Sequence, residues 1–388
     1  MEKEKVKDPA KPSKPRILMV GWHSCIRLSK ETHVLMEAGY EVDLLTCRLP
    51  QYYNKFGTVY NYYDKTQFRR MIHKLKDDYD IFHVHNEPNT LVTETLLAVD
   101  KPVVFDAHDL NLLRVPACQE DEIMAIQYCD GMINVSKGID DHIRKVYRMD
   151  LSGIPSEVVY SWCPESYMLK DIGQLREGIV YEGGVKGTHD VAFFGYRNLE
   201  PIAYRLIKEG FSLDIFCELD DKVSGRFENM GVKMHGGVPY FDLMKEMTRF
   251  KWGWSGFIND PVKKHIQYVA TNKCFEYIAC GTPVLTYMTE EQHQFIKDFE
   301  IGVAIDKLQN AGDLIRNADW EQLHKNVVER RYEFAMEKQL PTIERMYERA
   351  DLYNQAVNKG GRQVDEDTVN YISHNNFPVK AENWWCYQ

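Results

Sequence analysis

Two successive α/β domains, each built on a doubly wound parallel sheet, are predicted by three observations. Apolar, strand-like runs alternate with amphipathic helical patterns between residues 16 and 136. The rhythm breaks over residues 161–177, SWCPESYMLKDIGQLRE, and then resumes as far as residue 305. A chain of 388 residues is also long for one core and suits two domains of ordinary size.

The elements follow in order. RILMVG (16–21) reads as a strand, LSKETHVLMEAG (28–39) as an amphipathic helix ending at Gly39, and YEVDLLT (40–46) as the next strand. FRRMIHKLKD (68–77) is helical and DIFHVH (80–85) is a strand; TLVTETLLAV (90–99) is helical, and PVVFDAH (102–108) and GMINVS (131–136) are strands. This βαβα alternation argues for a parallel sheet covered on both faces, with ligands at the carboxyl edge of the strands. In the second half, strands are predicted at 178–183, 211–217, 232–236, 251–256, 283–287 and 302–305, with helices at 199–210 and 238–247 among them. Helical patterns at 319–335 and 342–357 close the folded body, and Pro341 is expected to mark a bend.

Composition narrows the function. Hydrophobic content of 44% and charged content of 27% are globular values. The net charge of −10 disfavours general nucleic-acid binding, which needs a concentrated basic surface. Residues 2–16 run against that balance, with six basic and three acidic side chains. They read as a disordered leader whose contact with an anionic membrane surface would be weak and peripheral. No apolar run reaches the length of a membrane span, and the N-terminus lacks the apolar core of a signal peptide. The nine cysteines show no C-x-x-C pair and no zinc spacing, as expected of reduced thiols in a cytoplasmic protein.

The stretch with the strongest functional signal is ATNKCFEYIACGTPVLTY, from Ala270 to Tyr287. Thr271 is placed to N-cap a helix running from Asn272 to about Cys280. Gly281 falls where a helix end wants a left-handed residue, Pro283 cannot continue the helix, and Val284–Thr286 reads as a buried strand. The first turn of such a helix suits a phosphate, and Lys273 stands in it. Glu276 shares a face with Asn272 and Lys273, where its carboxylate can take two ribose hydroxyls.

Within that stretch, NKCFEYIACGTPV closely resembles the donor-binding motif of family-four retaining glycosyltransferases, in the variant N-K-x-x-E-Y-x-A-x-G-x-P-V. The resemblance is tight around 270–287 and looser over about 16–350. It implies the GT-B fold: two Rossmann-like domains facing a cleft, with C-terminal helices crossing back. The boundaries are drawn at 1–15 for the leader and 16–165 for an acceptor-side domain. A nucleotide-sugar domain spans 166–340, and a crossing-back helix and tail span 341–388.

The resemblance also assigns roles. Glu276 is expected to bind the ribose, with Thr271, Asn272 and Lys273 at the donor diphosphate. The loop VYEGGVKG (180–187) matches the one that cradles the diphosphate. Gly183 and Gly184 let the backbone approach, and Lys186, with His189, stands in for a missing Arg. FDAHDL (105–110) resembles the strand end that carries an active-site His, so His108 is the catalytic candidate and Asp109 its acceptor-side neighbour. His83 and His85 are read as alternating across their strand, hence as supporting residues. GWHSCIRLSK (21–30) matches the acceptor loop but has only Gly21 where relatives have paired glycines; Trp22 and His23 are its acceptor-side candidates. Tyr268 occupies the place of the first of two Glu residues that many relatives carry seven apart.

No metal is expected: the Asp-Asp pairs at 77–78, 140–141 and 220–221 fall in helical or loop contexts and read as solvated charge, and Lys186 with a helix dipole would serve the leaving diphosphate instead. No cofactor is expected either, a UDP- or GDP-sugar being a co-substrate. The expected enzyme moves a hexosyl group to an acceptor hydroxyl with retention. A nucleotide-sugar epimerase or hydrolase, and a non-catalytic nucleotide-sugar binder, are the alternatives. The acceptor stays open among glycans, small molecules, proteins and modified DNA bases. Residues 358–388, ending in NWWCYQ, are assigned no role beyond packing by Trp384 and Trp385.

Overall fold

The computed structural model describes residues 14–23, 25–48, 56–86, 88–110, 119–146, 153–170, 172, 176–185, 195–217, 221–258 and 265–360. Lys186, His189, Trp384, Trp385 and most of the basic leader lie outside the described residues.

The first domain runs β1 (Arg16–Gly21), α1 (Ile26–Glu37), β2 (Glu41–Thr46), β3 (Val59–Asn61), α2 (Lys65–Leu75), β4 (Ile81–His85), α3 (Thr90–Ala98), β5 (Val103–Ala107), α4 (Gln119–Tyr128), β6 (Gly131–Asn134), α5 (Lys137–Val146) and β7 (Ser156–Val158). The second runs β8 (Ile179–Glu182), α6 (Glu200–Lys208), β9 (Leu213–Phe216), α7 (Asp221–Asn229), β10 (Lys233–Met234), α8 (Tyr240–Met247), β11 (Trp252–Gly256), α9 (His265–Tyr268), α10 (Asn272–Ala279), β12 (Val284–Tyr287), α11 (Glu290–Phe299), β13 (Gly302–Ile305), α12 (Ala311–Asn317) and α13 (Trp320–Arg330). The chain closes with α14 (Leu340–Gly360).

The sheets have the orders β3-β2-β1-β4-β5-β6-β7 and β10-β9-β8-β11-β12-β13, with parallel pairing throughout. Both reverse direction beside their first strand, so each has a ligand-binding switch point: β1/β4 in one, β8/β11 in the other. Helices cover both faces, which is why β1, β4, β5 and β11 read as apolar runs rather than alternations. The strands the sequence did not signal, β3 and β7, are three-residue edges, VYN and SEV, too short and polar to show a pattern.

Three local expectations are corrected. Helix α1 begins two residues earlier than its apolar pattern, because the Cys25 sulfur accepts from the Leu28 N–H (3.4 Å) and caps it. Pro341 does not bend the chain. It lies in the first turn of α14, where its missing N–H costs nothing, and the bend falls in the 3-10 turns at 331–339. The third concerns His83 and His85: residues two apart on a strand share a face, and their rings stack 4.7 Å apart at 9°.

Helix α14 packs on the first sheet. A Cβ on Gly131 of β6 would lie 2.6 Å from Met346 Sδ, so the helix seats close against this glycine, and Asn354 donates to the Asp130 carboxylate (3.2 Å). The chain therefore crosses between domains twice, and the two crossings touch: Cys163 and Ala335 form a β-bridge, and the Met336 N–H donates to the Cys163 carbonyl (3.0 Å). Among the described residues no helix is long and apolar enough to cross a membrane.

Candidate active site

Donor-side geometry starts from α10. Its C-terminal carbonyls are satisfied by two buried arginines: Arg176 donates to the carbonyls of Cys280 and Gly281 (3.0 Å each), and Arg331 to that of Ala279 (3.1 Å). Gly281 adopts φ +68°, the left-handed end that its position predicts. Thr271 precedes the helix as expected, but its hydroxyl does not cap it. It bonds Ser255 (2.9 Å) and Gln292 (3.1 Å) instead, tying the helix start to β11 and α11.

The tyrosine of the E-Y pair has a structural task. Its ring lies flat on Gly253, where a Cβ would fall 2.2 Å from Tyr277 Cγ. The Tyr277 hydroxyl accepts from the Glu182 N–H (3.0 Å) at the end of β8. This fixes the Gly183–Gly184 turn at the switch point. Gly183 has φ +104°, and Lys273 Nζ comes within 3.5 Å of where its Cβ would stand. The Lys273 ammonium also lies over the Tyr181 and Phe257 rings, at 5.2 and 5.3 Å. The helix start, the glycine turn and Lys273 therefore converge. Lys186 lies outside the described residues.

Glu276 shares this site but is not open to solvent. It is 3% exposed, and its Oε1 accepts from Lys30 Nζ of α1 in the first domain (2.9 Å) and from the Tyr240 hydroxyl (3.0 Å). Lys30 also donates to the Ser161 carbonyl (3.2 Å), so one ammonium ties α1, the interdomain link and the donor helix together. A second carboxyl, Glu182, hydrogen-bonds Glu276. Burial first, and the Glu276 charge second, push Glu182 up to about 8, so it is protonated at neutral pH. Burial alone would raise Glu276, yet Lys30 and the Glu182 bond hold it below the ordinary range, so it stays charged.

A pH effect follows. A carboxyl raised from 4.5 to about 8 contributes fully to stability below 4.5, and that contribution is lost as pH climbs through 8. The melting-temperature difference between Glu182→Gln and wild type should grow over that interval and then level off. A difference independent of pH would show that Glu182 is not protonated in the fold.

The first domain presents its own switch point across the cleft. His108 follows β5, and its backbone N–H donates to Asn86 (2.8 Å). Its Nδ1 faces Cys25 Sγ (4.0 Å), and its Nε2 faces His85 Nδ1 (2.9 Å) and Asp106 Oδ1 (3.3 Å). Burial opposes charge on His108, but Cys25 and Asp106 outweigh it and raise its pKa to about 10. Asp106 is held by the fork of Arg27, both oxygens at 2.9 Å, and Arg27 also pairs with Glu31 at 2.9 Å. His83 closes the network toward α14 through the Tyr347 hydroxyl (2.8 Å).

The acceptor-side candidates separate. Asp109 is pushed up to about 6, by burial against the pull of Arg197 from the second domain. Trp22 is a correction: its ring turns into the core, 8% exposed and edge-on to Tyr62. The single Gly21 gives the chain no second flexible residue with which to swing that ring outward. His23 is half-buried in the turn after β1. Tyr268 stacks on His142 of α5 (4.7 Å), and Ser136 donates to its carbonyl, so it seals the domain contact. Glu291 of α11 completes that contact by accepting from the first N–H groups of α5, Lys137 and Gly138, at 3.1 Å each.

Residues 192–336, most of the second sheet domain, match the family model described as Glucosyltransferase 3-like, C-terminal domain. The chain carries a glycosyltransferase domain. No curated protein matches it. Among solved structures it is similar to sucrose-phosphate synthase from Thermosynechococcus elongatus, at 13% identity over 85% of this chain and 98% of that one, with a TM-score of 0.64. HepE from Anabaena, in complex with UDP, is similar at 11% identity over 85% and 98%, with a TM-score of 0.62. WaaG, a glycosyltransferase involved in lipopolysaccharide biosynthesis, is similar at 14% identity over 87% and 95%, with a TM-score of 0.51. Two doubly wound sheets arranged in this way are the GT-B fold.

Proposed function

We propose that the chain is a retaining, family-four-type glycosyltransferase that moves a hexosyl group from a nucleotide-diphosphate sugar to an acceptor hydroxyl without a metal. The observation that carries the reading is the pairing of two switch points. The start of α10, with Lys273, Glu276 and the Gly183–Gly184 turn, belongs to one, His108 and Asp109 to the other, and the charge of Arg197 acts on both Lys273 and Asp109. Its support includes the solved relatives: HepE holds UDP and glucose in one structure, and rice Os79 holds UDP in another.

In this reading the α10 N-terminus and Lys273 stabilise the leaving diphosphate, and Lys186 adds charge from its loop. Glu276 takes the ribose hydroxyls by exchanging its bonds to Lys30 and Tyr240. His108 lies against the reacting sugar and can hydrogen-bond a hydroxyl or the departing oxygen. Front-face displacement needs no protein nucleophile. Contact between the domains keeps water from the donor.

Glu276→Gln should weaken nucleoside diphosphate binding by about 1.5–3 kcal/mol, the worth of charge-assisted bonds to ribose. Calorimetry measures it, and unchanged affinity in a folded variant would overturn the donor assignment. Turnover should survive excess EDTA, since cationic side chains and a helix end serve the diphosphate. Activity lost in chelator and restored by Mg²⁺ or Mn²⁺ would show that a metal does this work.

A further inference from the structure

We propose that Cys25, His85 and His108 form a binding site for one thiophilic divalent cation of the zinc class, at the first-domain side of the cleft. These residues stand on three separate elements: the cap of α1, the end of β4 and the residues after β5. One ligand atom from each lies within 4.8 Å of the other two, and Cys25 Sγ and His108 Nδ1 are 4.0 Å apart. A tetrahedral zinc ion, with sulfur at about 2.3 Å and nitrogen at about 2.1 Å, holds such atoms roughly 3.3–3.6 Å apart. Binding replaces the present 2.9 Å contact between His85 Nδ1 and His108 Nε2, so the two imidazoles turn to bring Nδ1 of each to the ion.

The surroundings match what a metal-binding imidazole requires. A ligating histidine turns its other ring nitrogen to a carboxylate, which fixes the tautomer and raises its basicity. With His108 binding through Nδ1, its Nε2 faces Asp106 Oδ1 at 3.3 Å. With His85 binding through Nδ1, its Nε2 faces Glu31 Oε2 at 3.7 Å. That Nε2 is buried and makes no hydrogen bond, so the second pairing tightens when the ring turns. One sulfur and two imidazoles favour zinc over the magnesium or calcium that oxygen ligands would select. His108 is 15% exposed, which leaves the fourth position facing the cleft. Binding there withdraws His108 from the sugar, so the site is inhibitory under the proposed function and independent of the diphosphate.

The test uses the full chain, stripped by chelator and titrated with Co²⁺. One equivalent should produce a thiolate-to-cobalt absorption band that Zn²⁺ abolishes and that Cys25→Ser lacks. No band, or an undiminished band in a folded Cys25→Ser, overturns the site. X-ray absorption of the zinc-loaded wild type does not depend on any variant's folding. A shell of one sulfur and two imidazole nitrogens supports the site, and a shell of oxygen only or of several sulfurs overturns it. Zinc binding with these ligands, found without loss of transferase activity, would place the fault in the role given to His108 and not in the metal site.

Discussion

Lys30→Met should destabilise the protein by about 3–5 kcal/mol, the usual cost of stripping one partner from a buried ion pair. The ammonium is fully buried, 2.9 Å from Glu276 Oε1, and belongs to the opposite domain. Its loss leaves the Glu276 charge to two neutral groups, the protonated Glu182 carboxyl and the Tyr240 hydroxyl, with no cation paired to it. Methionine fills much of the lysine stem's volume, so the effect reports charge rather than a cavity. Urea unfolding measures it at the first transition. The double variant Lys30→Met/Glu276→Gln should recover most of the loss, because no unpaired ion then remains. A single variant that unfolds like wild type would mean that water, not Lys30, neutralises Glu276. Solution scattering adds a second readout: if this pair holds the domains together, the Lys30→Met chain should be the more expanded.

That residue also marks what the sequence could and could not disclose. Helix, glycine end and strand around Glu276 were legible because each is a local rule: an i, i+3, i+4 face, a left-handed Gly281 and a proline stop. The parallel sheets were legible from apolar runs of strand length. Lys30 was not, because nothing local distinguishes it from the other charges of an amphipathic helix; its partner lies 246 positions away. Arg27 and Glu182 escaped for the same reason. His83 and His85 are different, since the two-residue period already places them on one face and a correct application of it predicts their stacking. Trp22 failed because an aromatic after a strand end can turn to the cleft or to the core. Tyr62 and Phe68, which fill the space beneath it, come from distant segments.

Arg27→Met should be as damaging, about 3–5 kcal/mol, and confined to the first domain. The guanidinium is 2% exposed and donates four ways, to both oxygens of Asp106, to the Val159 carbonyl (2.7 Å) and to Ser161 Oγ (3.2 Å), and it lies 2.9 Å from Glu31 as an ion pair. Its removal takes from the buried Asp106 carboxylate the neighbour that most favours its charge. Lysine should not rescue it, because a single ammonium cannot reproduce the planar fork that grips Asp106 through both oxygens. The consequence reaches the cleft. Asp106 is one of the two groups on His108 Nε2, and a displaced Asp106 releases the imidazole from its orientation. At temperatures where the variant remains folded, transfer should therefore fall in kcat while nucleoside diphosphate affinity, which depends on α10 and Lys273, stays near wild type. Equal losses in both, or stability within 1 kcal/mol of wild type, would show that Arg27 only fills space and that His108 takes its position from the backbone bond to Asn86 alone.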